Sequence, residues 1–355
     1  MSKMLEEIRE QPVALERTIA QELAGAMELR RRLEQRRPRM IVLAARGTSD
    51  NAALFGRYLL EVTTGIPVSL AAPSIFTLYG ATLDFRDILV VAISQSGEST
   101  DTNLVAERAR AAGAVTVGVT NEADSSLAKL AEHVLLVRAG REKSVAATKT
   151  YTGQMLAMYL LAYALGAPVP VEGLRRLPGY AAGALALEAQ IGERAERYTF
   201  MVRALSVARG LNYSNAFEFA LKLMETCYVV AERFSAADLL HGPIAMVEHA
   251  FPAFLFTPAG VTWPGMQEML GKLRQLRAEM LVITDQSNSE AIEIAGRSAV
   301  YLPLSLEDTD GKLPADVWTP IPYIIPAQLF AARLAEHKGL DPDSPRTLSK
   351  VTLTM

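Results

Sequence analysis

The sequence predicts an α/β protein made of two doubly wound parallel-sheet domains, with an N-terminal helix and a C-terminal tail. Three observations carry this. Short, β-rich apolar runs alternate with helical windows between residues 40 and 137. The same rhythm returns after residue 200. In each half an apolar run leads into a turn of small polar residues and then a helical pattern, and sheets of this kind bind ligands beyond the carboxyl ends of their strands.

Residues 3–36 read as helix, with Pro12 as an interruption or a second start. Leu15, Ile19, Leu23, Met27 and Leu33 recur at roughly helical spacing, and Arg36-Arg37-Pro38-Arg39 stops the pattern. Strands are predicted at 40–44, 68–71, 88–93, 115–119 and 134–137. Helices are predicted at 51–62, 100–112 and 125–131, with a buried helix at 151–165. Gly166, Pro168 and Pro170 open a connector that continues as a helical window to about residue 197. Strands then follow at 201–206, 251–256, 280–284 and 299–302. One helix runs from the 209–214 turn to about 228, and another covers 321–338. The expected division is a helical segment at 1–38, a first domain at 39–166, a connector at 167–198, a second domain at 199–340 and a tail at 341–355.

Composition narrows the function. A chain of 355 residues, half of them apolar, can bury two cores. A net charge of −3 leaves no electrostatic footprint for nucleic acid. Cys227 is the only cysteine, so no intramolecular disulfide forms, as expected in a reducing cytoplasm. The four histidines are scattered and no zinc-type spacing exists, so no metal is expected. The acidic N-terminus has no apolar core and reads as no signal peptide. The apolar stretch at 151–165 is too short to span a bilayer, so no membrane association is expected.

The most informative motif is Ser94-Gln95-Ser96-Gly97-Glu98-Ser99, placed directly after the apolar run 88–93. Hydroxyls and free backbone N–H groups at a helix start suit a phosphate monoester. No basic residue lies in that turn, which favours a small, exchangeable sugar phosphate over a nucleotide triphosphate. Gly47-Thr48-Ser49 occupies the same edge, and Thr148-Lys149 opens a third helix. The plain alternative is that these Ser and Thr residues only cap their helices.

Glu218, Lys222 and Glu225 share one face of an otherwise apolar helix. They are either a carboxylate base supported by an ammonium in a cleft, or a solvent-facing stripe whose Glu218–Lys222 pair is worth about 0.3–0.5 kcal/mol. His241-Gly242-Pro243 places an imidazole in a rigid turn, where it can move a proton near neutral pH. Lys350 reads as an ordinary tail lysine, although the alternation of Val351 and Leu353 suggests that the tail docks.

Together these residues resemble the sugar isomerase (SIS) family. The similarity is to the isomerase half of glucosamine-6-phosphate synthase and, more closely, to stand-alone synthase-like glucosamine-6-phosphate deaminases. It covers nearly the whole chain: the opening 4–12, the loop 94–99, Val145-Ala146-Ala147-Thr148-Lys149, the helix 218–225, His241-Gly242-Pro243 and the ending 345–350. The resemblance implies a flavodoxin-like SIS fold in both domains. It also implies that Thr48, Ser49, Ser94, Gln95, Ser96 and Ser99 hold the phosphate. Gly47, Glu142, Val145, Ala147 and Glu218 would line the sugar. Glu225 would move the proton between C1 and C2, with Lys222 beside it. His241, supplied by the neighbouring subunit of a homodimer, would open the ring. Lys350, on a tail lying over the active site, would contact the open sugar or form a Schiff base with a ketose. No cofactor is implied.

Departures choose among members. Arg46 stands where synthases usually have Cys, Ala147 where they have Ser, and Leu240 where they have Lys. All three, with Ala71-Ala72-Pro73-Ser74, look like the stand-alone deaminases, and the missing hydroxyl at Ala147 removes one sugar contact. Nothing before residue 38 reads as a glutamine-hydrolysing domain, so the chain is not expected to take nitrogen from glutamine alone. The expected reaction converts glucosamine 6-phosphate and water to fructose 6-phosphate and ammonia. Alternatives are a synthase-type isomerase module, another phosphosugar isomerase or deglycase, and a non-catalytic sugar-phosphate regulator.

Overall fold

The structure is a computed structural model that describes residues 2–308 and 310–348. The chain begins with α1 (Lys3–Arg9) and α2 (Gln11–Gln35). Then come β1 (Met40–Ala44), α3 (Thr48–Thr64), β2 (Val68–Leu70), α4 (Ser74–Thr77), β3 (Ile88–Ile93), α5 (Thr100–Ala111), β4 (Val115–Thr120), α6 (Ser126–Leu130), β5 (His133–Leu136) and α7 (Lys149–Ala164). Two helices follow, α8 (Val171–Leu185) and α9 (Glu188–Glu196). The rest of the chain forms β6 (Arg203–Ala208), α10 (Tyr213–Cys227), β7 (Val230–Ser235), α11 (Ala236–Leu240), β8 (Pro252–Phe256), α12 (Trp263–Gln275), β9 (Glu279–Asp285), α13 (Ser289–Ala295), β10 (Ala299–Leu302) and α14 (Pro320–His337).

Contacts divide the chain into two compact units. One holds Val13–Glu142, Ala147–Arg175 and residue 348. The other holds residues 2–12, Lys143–Ala146, 176–308 and 310–347. Pro12 marks a second start: α1 ends at Arg9 and α2 begins at Gln11, which leaves Pro12 in the first turn, where a missing amide hydrogen costs nothing.

The first unit carries a five-stranded parallel sheet in the order β2-β1-β3-β4-β5. β3 is buried at every position, as expected for a strand covered on both faces. α7 is buried along nearly its whole length, which explains its near-continuous apolar sequence. The chain order reverses between β1 and β3, so the crevice at their carboxyl ends is the switch point where such sheets take ligands. α3 starts at Thr48, earlier than the apolar pattern predicts, so Thr48 and Ser49 belong to its first turn.

The second unit repeats the plan in the order β10-β9-β8-β6-β7, again all parallel. Matched strand for strand, this is the same topology as the first sheet. An aromatic core fixes α10 to the sheet. The Phe219 ring lies 4.9 Å from Phe254 of β8 and 5.8 Å from Phe330 of α14, with edge-to-face geometry. β7, which the sequence pattern did not reveal, is an edge strand whose exposed positions include Glu232 and Arg233. The first strand lies two residues later than predicted, at Arg203–Ala208. Among the described residues no helix is long and apolar enough to cross a membrane.

Candidate functional site

The first unit places Gly47, Thr48 and Ser49 beyond β1, and Ser94, Gln95, Ser96 and Ser99 beyond its neighbour β3. The Ser94–Ser99 loop is held from three sides. Gly97 N–H donates to Ser94 Oγ at 3.1 Å, and Glu98 N–H to Ser96 Oγ at 3.2 Å. Asn121 N–H and the Thr120 hydroxyl donate to the Gln95 carbonyl. Leu127 N–H and Asn103 Nδ2 donate to the Gly97 carbonyl, each at 3.0 Å. Gly97 has φ +67°, and a Cβ there would lie 2.2 Å from Ser125 Oγ. Only glycine makes this turn.

Side-chain capping does not account for the hydroxyls of Ser99 and Thr148. The helix starts at Gly47, Ser99 and Thr148 have no side-chain cap bond. Ser99 Oγ instead lies 3.0 Å from Thr102 Oγ1. Ser49 is buried, and its Oγ accepts from Gln154 Nε2 at 2.9 Å, which ties α3 to α7. The Glu98 carboxylate accepts from the Ser126 amide and hydroxyl, which holds its pKa below the ordinary carboxylate range.

Sequence reasoning missed a cation at this crevice. Arg46, one residue before Gly47, donates through Nε (3.0 Å) and Nη2 (2.7 Å) to Asp101 Oδ2 in the first turn of α5. The turn Ser94–Ser99 contains no base, but its neighbour supplies one.

Glu142 plays a different part from a simple sugar contact. Its Oε1 accepts from Thr148 N–H (2.9 Å) and Thr150 N–H (3.2 Å), and its Oε2 from Thr150 Oγ1 (2.7 Å). The carboxylate therefore neutralises the start of α7. Ala147, just ahead of that start, is half-buried.

In the second unit the solvent-facing reading of the charged helix face is overturned. Glu218 and Lys222 are fully buried, and only Glu225 keeps exposure, at 24% of its side chain. Lys222 Nζ donates to Glu225 Oε2 at 2.6 Å and lies 3.4 Å from Glu218 Oε1. Burial works to lower the Lys222 pKa, but the two carboxylates outweigh it and hold the pKa above the ordinary lysine value.

The same unit gathers other parts that the sequence singled out. Val145 N–H donates to the Asp343 carbonyl, and the Asp343 carboxylate accepts from the Lys3 and Met4 amides at 2.7 Å each. Glu7 accepts from the Lys143 and Ser144 amides. Arg346 N–H donates to Tyr228 Oη at 2.8 Å, and its guanidinium lies 3.8 Å from that ring's centroid. Tyr228 caps the helix that carries Glu225, so the tail is anchored beside it. Asp343 carried no sequence signal of its own because its carboxylate meets only backbone amides from the far end of the chain. Lys350 lies outside the described residues. His241 is exposed at the end of α11, before Gly242 at φ +148°. Among the described residues no cluster of three or more His, Cys, Asp or Glu is placed to hold a metal ion.

A family model of the SIS domain matches residues 35–164 and 202–311. Glutamine–fructose-6-phosphate aminotransferase [isomerizing] of Methanothermobacter thermautotrophicus is 36% identical over 351 residues, covering 98% of this chain and 56% of that protein. The chain thus spans about half the length of the curated relatives it matches. The C-terminal domain of glucosamine-fructose-6-phosphate aminotransferase from Francisella tularensis has a TM-score of 0.85 at 27% identity, over 97% of this chain and 98% of that one. Glucosamine-6-phosphate deaminase from Thermotoga maritima shares the fold, with a TM-score of 0.77 at 22% identity over 99% and 100% of the two chains.

Proposed function

This chain belongs to the SIS domain family, and we propose that it is a phosphosugar isomerase of the deaminating kind, converting glucosamine 6-phosphate and water to fructose 6-phosphate and ammonia. The observation that carries the reading is the Glu225 carboxylate, partly exposed and held at 2.6 Å by a fully buried ammonium. A fixed carboxylate with an open side is what a C2-to-C1 proton transfer requires.

Thr48, Ser94, Gln95, Ser96 and Ser99 bind the phosphate, far in the substrate from the reacting carbons, while Ser49, buried against Gln154, supports the start of α3 from behind. That binding energy orients the sugar. His241 opens the ring. Glu225 removes the C2 proton and returns it to C1, so the enolamine becomes a C2 ketimine. Water adds to the ketimine and ammonia leaves. Lys222 and Lys350 stabilise the charge that develops on the enolamine. Gly47, Val145 and Ala147 shape the sugar's surroundings, with Glu142 acting through the start of α7 and Glu218, sealed in the core, acting through Lys222. A homodimer in which His241 serves its neighbour's site is consistent with the exposure of that residue.

Incubation with glucosamine 6-phosphate should release ammonia and fructose 6-phosphate in equal amounts. Glu225→Gln should abolish both while sugar-phosphate binding persists. Absence of ammonia release by the wild type would overturn the deaminase reading.

The aminotransferase relatives, matched over 98% of this chain, favour one second reading: a synthase-type isomerase module fed with ammonia by another protein. Fructose 6-phosphate with ammonium, assayed with and without glutamine and an added glutaminase, separates the two. Net amination only in the coupled assay supports the module.

A further inference from the structure

Arg46 stands at the first unit's switch point, between the end of β1 and the left-handed turn at Gly47. Its partner Asp101 sits in the first turn of α5, after the Ser94–Ser99 loop. The pair therefore spans both loops of the crevice. Nε and one Nη2 hydrogen go to a single oxygen of Asp101, and a guanidinium has five N–H donors, so three remain. Asp101 is almost fully buried, which fixes one edge of the guanidinium. The arginine side chain is 49% exposed, which leaves its other edge open.

The charge arithmetic of the crevice needs such a group. The hydroxyls and amides of the cradle are neutral, whereas a phosphate monoester carries about −1.5 to −2. Asp50 and Asp101 both stand in the first turns of the helices that begin here. Without Arg46 the crevice would present two carboxylates to a dianion. The guanidinium offsets the Asp101 charge, and its planar fork matches phosphate oxygens in a way that a lysine does not.

We propose that Arg46 is a substrate-binding, specificity-determining residue whose free N–H donors contact the phosphate, with Asp101 as its positioning residue. The proposal rests on the reading of this crevice as the phosphate cradle and adds a charged donor to that cradle. A pair serving only as a strap between loops would hold the buried Asp101 carboxylate in place and add nothing to anion affinity.

The test measures binding of inorganic phosphate by calorimetry, together with steady-state kinetics on glucosamine 6-phosphate and on unphosphorylated glucosamine. The proteins compared are the wild type, Arg46→Ala, Arg46→Lys and Arg46→Gln. Arg46→Ala should weaken phosphate binding and raise KM for the phosphorylated sugar by at least about tenfold, the usual scale for a lost charge-assisted bond, with kcat changed far less. Arg46→Lys should recover part of this, and any response to unphosphorylated glucosamine should not move. Arg46→Gln replaces the alanine variant if circular dichroism shows that the latter fails to fold. Folded variants that bind phosphate within about twofold of wild type would overturn the proposal, as would a wild type that binds neither phosphate nor the sugar phosphate. Weakened phosphate binding in Arg46→Ala, with no turnover of glucosamine 6-phosphate by the wild type, would support Arg46 and sink the deaminase reading instead.

Discussion

Lys222 Nζ lies 2.6 Å from Glu225 Oε2 and 3.4 Å from Glu218 Oε1. One ammonium thus holds two carboxylates of different exposure. Glu218 is sealed in the core and anchors the lysine, while Glu225 keeps an open side. The inner pair fixes the direction in which the outer carboxylate points.

Lys222→Met should be strongly destabilising, by about 3–5 kcal/mol, because it leaves a carboxylate buried without its cation. Glu225→Gln should cost much less, since that group is partly solvated. Urea denaturation of the two variants checks the difference. Equal losses would mean that Glu218 does not depend on the lysine.

Gly97→Ala should lose about 2–4 kcal/mol, from a left-handed backbone and a Cβ that would meet the Ser125 side chain at 2.2 Å. Sugar-phosphate affinity should fall with it, because Gly97 shapes the loop between Ser94 and Ser99. Thermal melts and a binding titration report both effects.

Burial pushes the Asp316 carboxyl up to about 6. A raised carboxyl pKa means that folding favours the protonated form. The benefit is complete below the unfolded value of 3.8 and is lost as pH rises through about 6. Asp316→Asn should therefore stabilise the protein, and the gain should grow by about 2 kcal/mol between pH 4.5 and pH 7.5. Denaturation curves at both pH values test this, and a pH-independent gain would contradict it.

Arg346→Ala removes a guanidinium 3.8 Å from the Tyr228 ring. If the tail presents Lys350 to the sugar, kcat should fall by about three- to tenfold while the melting temperature barely changes, since one such contact is worth about 0.5–1 kcal/mol. A change in stability without a change in kcat would assign the contact to folding alone.

Mixing Glu225→Gln chains with His241→Ala chains should restore partial activity if each site draws its histidine from the other subunit. Activity that stays at background after verified subunit exchange would show that the sites are not shared.

The strands at Met40–Ala44, Ile88–Ile93 and Ala299–Leu302 fall where the apolar runs place them. Burial of a parallel strand selects the residues that make the run visible. β7 escaped detection for the converse reason: an edge strand tolerates Glu232 and Arg233, so no run forms. The polar turns beyond β1 and β3 were legible because turn chemistry is local. The burial of Lys222 was not, since its spacing from Glu218 is the same on an exposed helix and a sealed one.

The repeated α/β plan, the hydroxyl-rich turns at one sheet edge and the alignment of Glu218, Lys222 and Glu225 along one helix are written in the chain itself, because all of these follow from short-range periodicity. Tertiary structure alone decided which of those carboxylates stays open. It also turned Glu142 to the start of α7 and brought Arg46 to Asp101 across 55 residues. These outcomes depend on which strands pair and on what covers each face, and such long-range packing leaves no local pattern in the chain.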